Sequence, residues 1–212
     1  MVAGVTMGRS AAGCTRRRAL SGLAGSVLAL YALAGCEANK PSFRSLDVSG
    51  ADWGKDFHLN DPEGRERSLA EFRGKVVLIF FGFTQCPDVC PTALTRAVEV
   101  KRALGDEGKR LQVIFVTVDP ERDTPDVLRA YMEAFDPAFL GLSGDMAQTQ
   151  ATASDFKIFY QKVPTGSSYT MDHTALSYAF DPAGRLRLAI KHAEPASSVA
   201  ADLKLLLAER GG

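Results

Sequence analysis

Two continuous apolar runs, separated by a segment with helical spacing, constrain the fold of this 212-residue chain more than any other feature. The runs Val76–Phe83 and Leu111–Val118 are rich in β-branched and aromatic residues, which is typical of strands buried on both faces of a parallel or mixed sheet. Between them, residues 92–104 have helical spacing, and Gly105 follows as a stop signal. The order strand, helix, strand predicts a right-handed crossover unit.

The remainder of the chain continues this alternation. Helices are predicted from about residue 125 to 135, from 146 to 156 and from 196 to 208, and the segments 176–180 and 186–190 are predicted to form a hairpin. We detect no internal repeat and no second core. The sequence therefore predicts one α/β domain, residues 53–212, with a central mixed sheet flanked by helices in thioredoxin-like order.

The first 35 residues have the composition of an export signal. They contain four arginines and no acid, and an apolar run follows up to Gly35. The sequence Leu33-Ala34-Gly35-Cys36 resembles a bacterial lipobox, which predicts cleavage before Cys36 and lipid attachment to it. An uncleaved anchor is the alternative, although the run is short for a span of about 20 residues. We expect a membrane-anchored lipoprotein on the periplasmic side, with residues 36–52 as a tether. The arginines also resemble a twin-arginine signal, and the export route stays open.

Removing the signal changes both the charge and the number of thiols. Residues 36–212 hold 25 − 4 = 21 basic and 25 acidic residues, a net charge of −4, so there is no basic footprint for nucleic acid. Cys14 leaves with the signal and Cys36 carries the lipid, so Cys86 and Cys90 are the thiols of the folded domain. In an oxidising compartment such a pair is a structural disulfide or a working site, and a loop this short gains little stability from a disulfide.

The proline after Cys90 predicts where the two thiols lie. Pro91 disfavours helical geometry at Cys90 and suits the first helical position, so we predict Cys90 at the helix N-cap and Cys86 in the preceding loop. The positive end of a helix favours thiolates, which attack disulfides or bind metals. This position is also at the carboxyl end of a sheet strand, where open α/β folds keep their sites.

Three motifs, taken in order, give the chain a family resemblance. They are FGFTQCPDVCP at residues 81–91, VDPERDTP at 118–125 and YTMDHT at 169–174. Together they resemble the Sco/SenC proteins, which are thioredoxin-fold copper-binding factors for the assembly of cytochrome c oxidase. The resemblance extends from about Phe57 to Leu207 and implies that Cys86, Cys90 and His173 bind one copper ion. Met171 stands where valine is more often expected, outside the ligand set.

The chemistry of these residue types agrees with the resemblance. Two thiolates suit Cu(I), and an added imidazole lets the same site accommodate Cu(II). Zinc accepts these atoms too, but structural zinc sites are normally closed by four protein ligands, and the domain offers no third cysteine. Asp172 is a candidate to orient the ring of His173, and Asp119, which ends its strand, is a candidate neighbour of the copper loop.

Other polar and aromatic residues are given structural roles. Asp123 and Thr124 are predicted to cap the helix that begins at Pro125. His58 and His192 have no motif context and are interpreted as structural or surface residues. Three aromatic residues are predicted to form the core and the wall of the site: Phe80, Phe81 and Phe83.

The leading functional prediction is a copper metallochaperone that serves the oxidase subunit carrying the dinuclear copper centre. A second periplasmic copper chaperone or a thiol reductant is a further expected partner. The alternative is an extracytoplasmic thiol-disulfide oxidoreductase that reduces the oxidase cysteines and itself forms the Cys86–Cys90 disulfide. A peroxiredoxin-like peroxidase fits less well, because Thr84 lies two rather than three residues before Cys86. Dependence on His173 separates the chaperone from the oxidoreductase.

Overall fold

The computed structural model describes residues 41–209 together with residues 1, 3 and 4. The chain divides into two units, Met1–Pro41 and Ser42–Gly212, and every element below belongs to the second. The predicted signal peptide, apart from residues 1, 3 and 4, lies outside the described residues, as do Cys36 and the first part of the tether. Within the described part of the chain, no helix combines the length and the apolar character needed to cross a membrane.

The described domain contains ten strands and four α-helices. The strands are β1 (Leu46–Asp47), β2 (Leu59–Asn60), β3 (Glu66–Arg67), β4 (Val76–Gly82), β5 (Leu111–Thr117), β6 (Leu140–Leu142), β7 (Tyr160–Thr165), β8 (Ser168–His173), β9 (Leu176–Phe180) and β10 (Leu186–Lys191). The α-helices are α1 (Val89–Ala103), α2 (Pro125–Glu133), α3 (Met146–Asp155) and α4 (Ala196–Ala208). Short 3₁₀ segments cover Leu69–Phe72 and Gly105–Arg110.

The main sheet is mixed, as the two apolar runs predict. Its strand order is β1-β10-β9-β4-β5-β6. β4 and β5 are parallel over their full length, from Val76 opposite Leu111 to Gly82 opposite Thr117, and α1 is the crossover between them. β9 runs antiparallel to β4, and β10 antiparallel to β9. The carboxyl end of β4 therefore leads directly into the cysteine loop and α1.

Burial of both sheet faces explains why β4 and β5 lack an alternating polar pattern. Every residue of β4 is buried, and so is every residue of β5 except one. Ile79 and Ile114, which lie opposite each other on the two strands, are fully buried. A side chain of this size contributes about 1.5–3 kcal/mol when it is removed from water. The predicted hairpin β9–β10 and the helix α4 are also present and buried against this sheet.

Helix α1 begins earlier than its proline predicts. Its N-cap is Asp88, so Cys90 and Pro91 lie inside the first turn, and the prediction of Cys90 as N-cap is wrong. The first backbone N–H groups of a helix have no acceptor within the helix, so a proline in the first turn breaks no hydrogen bond. The Cys90 N–H instead points to Cys86 Sγ at 3.4 Å.

The folded unit also begins before the predicted boundary at residue 53. β1 pairs with β10, and the backbone N–H groups of Arg44 and Ser45 donate to the buried carboxylate of Asp202 at 2.8–3.1 Å. These contacts use backbone groups, so a polar segment can join the sheet edge without a hydrophobic pattern. Residues 42–52 are therefore part of the domain rather than a free tether.

A second hairpin, absent from the sequence prediction, carries the predicted histidine ligand. β7 and β8 form their own two-stranded sheet, with Tyr160 opposite His173 and Thr165 opposite Ser168. All of β7 after Tyr160 is exposed. A strand with two solvated faces gives no alternation in the sequence, which is why the pattern did not reveal it.

Candidate metal centre

The two cysteines lie where β4 passes into α1. Cys90, in the first turn of α1, has no exposed surface, whereas Cys86 in the preceding loop is half-buried. Both are free thiols. The carboxylate of Asp123 holds the start of the cysteine loop. It accepts hydrogen bonds from the Thr84 N–H at 3.0 Å, the Thr84 hydroxyl at 2.6 Å and the Thr117 hydroxyl at 2.6 Å.

Asp123 therefore has a different role from the predicted one. Thr124 is the N-cap of α2 and accepts the Val127 N–H, as predicted, but Asp123 does not cap the helix. Its carboxyl group is 1% exposed, and burial raises its pKa. Asp123 anchors the first residue of the cysteine loop.

His173 ends β8 and faces the cysteines. Its Nε2 lies 3.7 Å from Cys90 Sγ, and its Nδ1 lies 3.1 Å from the carbonyl oxygen of Thr174. A carbonyl can only accept, so this contact assigns a hydrogen to Nδ1, and Nε2 is the ring nitrogen that faces the sulfur. Phe80 and Phe83 contact the ring edge-on at centroid distances of 6.0 and 5.9 Å, which fixes its plane.

The structure brings the three predicted ligand side chains together. One potential ligand atom from each of Cys86, Cys90 and His173 lies within 4.8 Å of the others. Two sulfurs and one imidazole nitrogen form a donor set suited to copper or zinc. Among the described residues, the cluster has three members and no fourth histidine, cysteine or acid, so a bound ion would keep an open position.

The two thiols differ in protonation. The pKa of Cys86 is lowered to about 5, mainly because the Cys90 thiol donates to its sulfur, with help from the backbone N–H groups of Asp88, Cys90 and Val89. The pKa of Cys90 is strongly raised because it holds its proton in that same hydrogen bond and because it is buried. The helix end was expected to favour two thiolates, but in the metal-free protein it favours one.

Gly82 makes room for the inner sulfur. A Cβ at this position would lie 2.7 Å from Cys90 Sγ and 2.8 Å from Cε2 of Phe115. Real Cβ atoms do not approach other atoms this closely, so any side chain here would displace the sulfur or the ring. The glycine is therefore required by the close approach of β4 and α1.

The two predicted neighbours of the ligands have other positions. Asp172 is exposed and lies on the opposite face of β8 from His173, whose Nδ1 finds its acceptor at Thr174 instead. Asp119 is buried at the end of β5, but its carboxylate accepts hydrogen bonds from Arg122 and from the Tyr169 hydroxyl. Asp172 therefore does not orient the imidazole, and Asp119 holds the hairpin rather than the ring.

The other aromatic and histidine residues behave largely as expected. Phe81 points into the core against Phe156, with ring centroids 5.2 Å apart, so only two of the three predicted aromatic residues line the site. His58 is exposed beside Glu66, and His192 is half-buried next to Arg96, which donates to its carbonyl. Neither histidine belongs to the cysteine cluster.

Comparison with known proteins shows which family and which proteins this chain is similar to. A family model described as SCO1/SenC matches residues 47–208. A SCO2-like protein from Rickettsia felis is 38% identical over 135 residues, which cover 62% of this chain and 66% of that protein. The mitochondrial SCO2 homolog of Homo sapiens is 38% identical over 168 residues, 77% of this chain and 63% of that protein. The chain thus spans slightly less than two thirds of the length of these two relatives.

Two solved structures match over nearly the whole of their own chains. Copper-bound ScoI from Bradyrhizobium japonicum is 43% identical, covers 71% of this chain and 97% of its own, and has a TM-score of 0.66. Apo Sco1 from Thermus thermophilus is 42% identical, with coverages of 79% and 99% and a TM-score of 0.70. These matches confirm the thioredoxin-like fold class predicted from the sequence.

Proposed function

Because the chain belongs to the SCO1/SenC family, we propose that it is a copper metallochaperone for the dinuclear copper centre of a cytochrome c oxidase. The observation that carries the proposal is the convergence of Cys86, Cys90 and His173, whose ligand atoms lie within 4.8 Å of one another. The relative from Bradyrhizobium japonicum, 43% identical, has been solved with copper bound. The oxidase as recipient follows from the motifs shared with the family.

The ligand set suits a carrier that meets both oxidation states of copper. Two thiolates satisfy Cu(I), which accepts low coordination, and the Nε2 of His173 adds the nitrogen that Cu(II) favours. Cys86 is already a thiolate at neutral pH, whereas Cys90 must release its proton to become a ligand. Uptake of copper at pH 7 should therefore release about one proton per ion.

Replacement of the histidine tests the proposal. In His173→Ala the two sulfurs remain, so Cu(I) binding should persist, but Cu(II) loses its nitrogen donor. We expect loss or a marked change of the thiolate-to-Cu(II) charge-transfer absorption and failure to restore oxidase activity in a deletion strain at limiting copper. His58→Ala is the matched control, because His58 is exposed and pairs with Glu66. Full restoration of the oxidase by His173→Ala would contradict the three-ligand copper site as the basis of function.

The same proposal places the domain outside the cytoplasm. The arginine-rich segment, the apolar run and the sequence ending in Cys36 support export followed by lipid attachment. The copper domain would then work at the membrane surface, beside a membrane-bound oxidase.

A second candidate, thiol-disulfide oxidoreductase, is favoured by the unequal thiols. The half-exposed Cys86 thiolate can attack a partner disulfide, form a mixed disulfide and release one partner thiolate. Cys90, on losing its proton, then attacks Cys86 Sγ, forms the Cys86–Cys90 disulfide and releases the second partner thiolate. Two electrons pass to the partner, and a thiol reductant must restore the pair.

The two candidates differ in their need for the imidazole. Reduction of a model disulfide should be lost in Cys86→Ser and retained in His173→Ala, because the exchange reaction uses only the sulfurs. A variant that keeps reductase activity and loses oxidase assembly would separate the two activities in favour of copper delivery.

A further inference from the structure

Arg122 touches both parts of the candidate metal centre, although it is not one of the predicted ligands. It lies in the loop that follows β5. Its Nη1 donates to the carbonyl oxygen of Tyr169 in β8 at 2.8 Å and to Oε1 of Gln85 in the cysteine loop at 3.2 Å. Its Nε donates to the carboxylate of Asp119. One guanidinium thus links the strand of His173 to the residue that precedes Cys86.

The packing around Arg122 forms a closed arrangement. The guanidinium carbon lies 3.7 Å from the centre of the Tyr169 ring, and the Tyr169 hydroxyl donates to Asp119 at 2.9 Å, so Arg122, Asp119 and Tyr169 each contact the other two. The guanidinium carbon also lies 5.9 Å from the centre of the Phe83 ring. The Arg122 side chain is 17% exposed and that of Asp119 is 0% exposed, so solvent screens this pair weakly.

The hairpin is held by few other contacts, among them the buried side chain of Met171 and the ion pair of Lys162 with Glu121. β7 and β8 pair only with each other in the described structure, and an isolated two-stranded hairpin is marginally stable in water. Tyr169 and His173 are four residues apart on β8, so their side chains lie on the same face of the strand. Fixing Tyr169 against Arg122 therefore fixes the direction of the strand that presents the imidazole.

We propose that Arg122 is a positioning residue that holds β8 against the cysteine loop, so that His173 Nε2 meets the two sulfurs. The inference rests on the proposed copper site, since its consequence for binding is expressed in the nitrogen ligand. Loss of Arg122 leaves Cys86 and Cys90 on the loop and α1, where Asp123 and the helix hold them. Loss of Arg122 also removes the hydrogen bond to Gln85, but its main effect is on the hairpin.

The test compares Arg122→Gln with Arg129→Gln. Arg129 is a matched control, because it also pairs with an acid three residues earlier, Asp126, and also donates to a distant backbone carbonyl, that of Pro62. For Arg122→Gln we expect a shifted Cu(II) charge-transfer spectrum and about tenfold faster Cu(II) dissociation, since a charge-assisted hydrogen bond is lost. Cu(I) affinity should stay within about threefold, because Asp123 and α1 still hold the cysteine loop and the two sulfurs.

A conservative variant separates positioning from charge. Arg122→Lys can still pair with Asp119, but an ammonium cannot reach Tyr169 and Gln85 in the same planar arrangement. It should fall between wild type and Arg122→Gln in Cu(II) dissociation. If Arg122→Gln fails to fold, the lysine variant and Tyr169→Phe, which removes only the hydrogen bond to Asp119, decide the question by the same measurements.

A metal-free measurement keeps this inference distinct from the proposed function. In the apo protein, hydrogen exchange at residues 169–173 should be faster in Arg122→Gln than in wild type or Arg129→Gln, while exchange in α1 should be unchanged. Failure of wild type to bind copper would overturn the proposed function, and the exchange result would still decide whether Arg122 holds the hairpin. The inference would be overturned if Arg122→Gln changed neither the hydrogen exchange nor the Cu(II) spectrum. It would also be overturned if the Arg122 and Arg129 variants had equal effects.

Discussion

Cys86 in the metal-free protein should react with a neutral disulfide reagent at a rate that is nearly constant from about pH 6 to 8. The reason is the Cys90 thiol and the backbone N–H groups around the Cys86 sulfur, which lower its pKa from 9.0 to about 5. A thiol with an ordinary pKa gains thiolate, and therefore rate, throughout this range.

The advantage over an ordinary thiol should appear in acid rather than at neutral pH. At pH 7 the thiolate fraction of Cys86 is about 100 times that of a thiol with a pKa of 9.0. Lower basicity, however, reduces nucleophilicity about 60-fold for a difference of four pKa units, so the net advantage is about twofold. At pH 5.5 the fractions differ about 2,400-fold, and the same correction leaves an advantage of about 40-fold.

The assay is the initial rate of thiol release from the reagent between pH 4.5 and 9, beside a peptide thiol as reference. Cys90→Ala removes the donor thiol, so the profile of Cys86 should move to higher pH. Cys86→Ser should be nearly unreactive across this range, because Cys90 has no exposed surface and burial by itself raises its pKa. A wild-type rate that keeps rising between pH 6 and 9, with a midpoint above 8, would refute the reasoning.

Three further outcomes are expected. Gly82→Ala should destabilise the domain by about 1–3 kcal/mol in urea unfolding, because the added methyl group overpacks the space beside Cys90 Sγ. The same substitution should change the Cu(II) spectrum. An unchanged spectrum would show that the sulfur is free to shift. Asp202→Ala should cost about 1.5–3 kcal/mol in the same assay, because the buried N–H group of Ser45 and the part-buried N–H group of Arg44 lose their carboxylate acceptor. Cys36→Ser should abolish lipid attachment and block cleavage before residue 36, which mass spectrometry of the membrane fraction will show; an unchanged mass would contradict the lipoprotein proposal.

The parts of the fold that bury apolar side chains could be predicted from the sequence. β4, β5 and α4 leave continuous or periodic apolar patterns because the core covers them, and Gly184, with a φ of +72°, closes the β9–β10 turn as its position indicates. The cysteines could be placed at the end of β4 by the same reasoning. Their partner His173 required the family motif, because it lies on a strand that the pattern did not reveal.

What the sequence concealed depends on single contacts rather than on periodicity. The residue at which α1 begins depends on where its first backbone N–H groups find acceptors. The position of Pro91 in the sequence does not reveal this. The separate roles of Arg122 and Asp123, neighbours within one motif, follow from which way each side chain points. Gly82 ends a buried apolar strand, and only the distance to Cys90 Sγ shows why it must be glycine.

The complete burial of Cys90 gives metal exchange a direction. An ion held by the three side chains can be reached from solvent only past Cys86 and His173, which are partly exposed, because the inner sulfur is enclosed by Gly82 and the core. If the domain carries copper as proposed, a ligand from a recipient would attach on the outer side, and Cys86 or His173 would be displaced before Cys90. The buried sulfur would then be the last ligand to dissociate, and the ion could pass between proteins without being released into water.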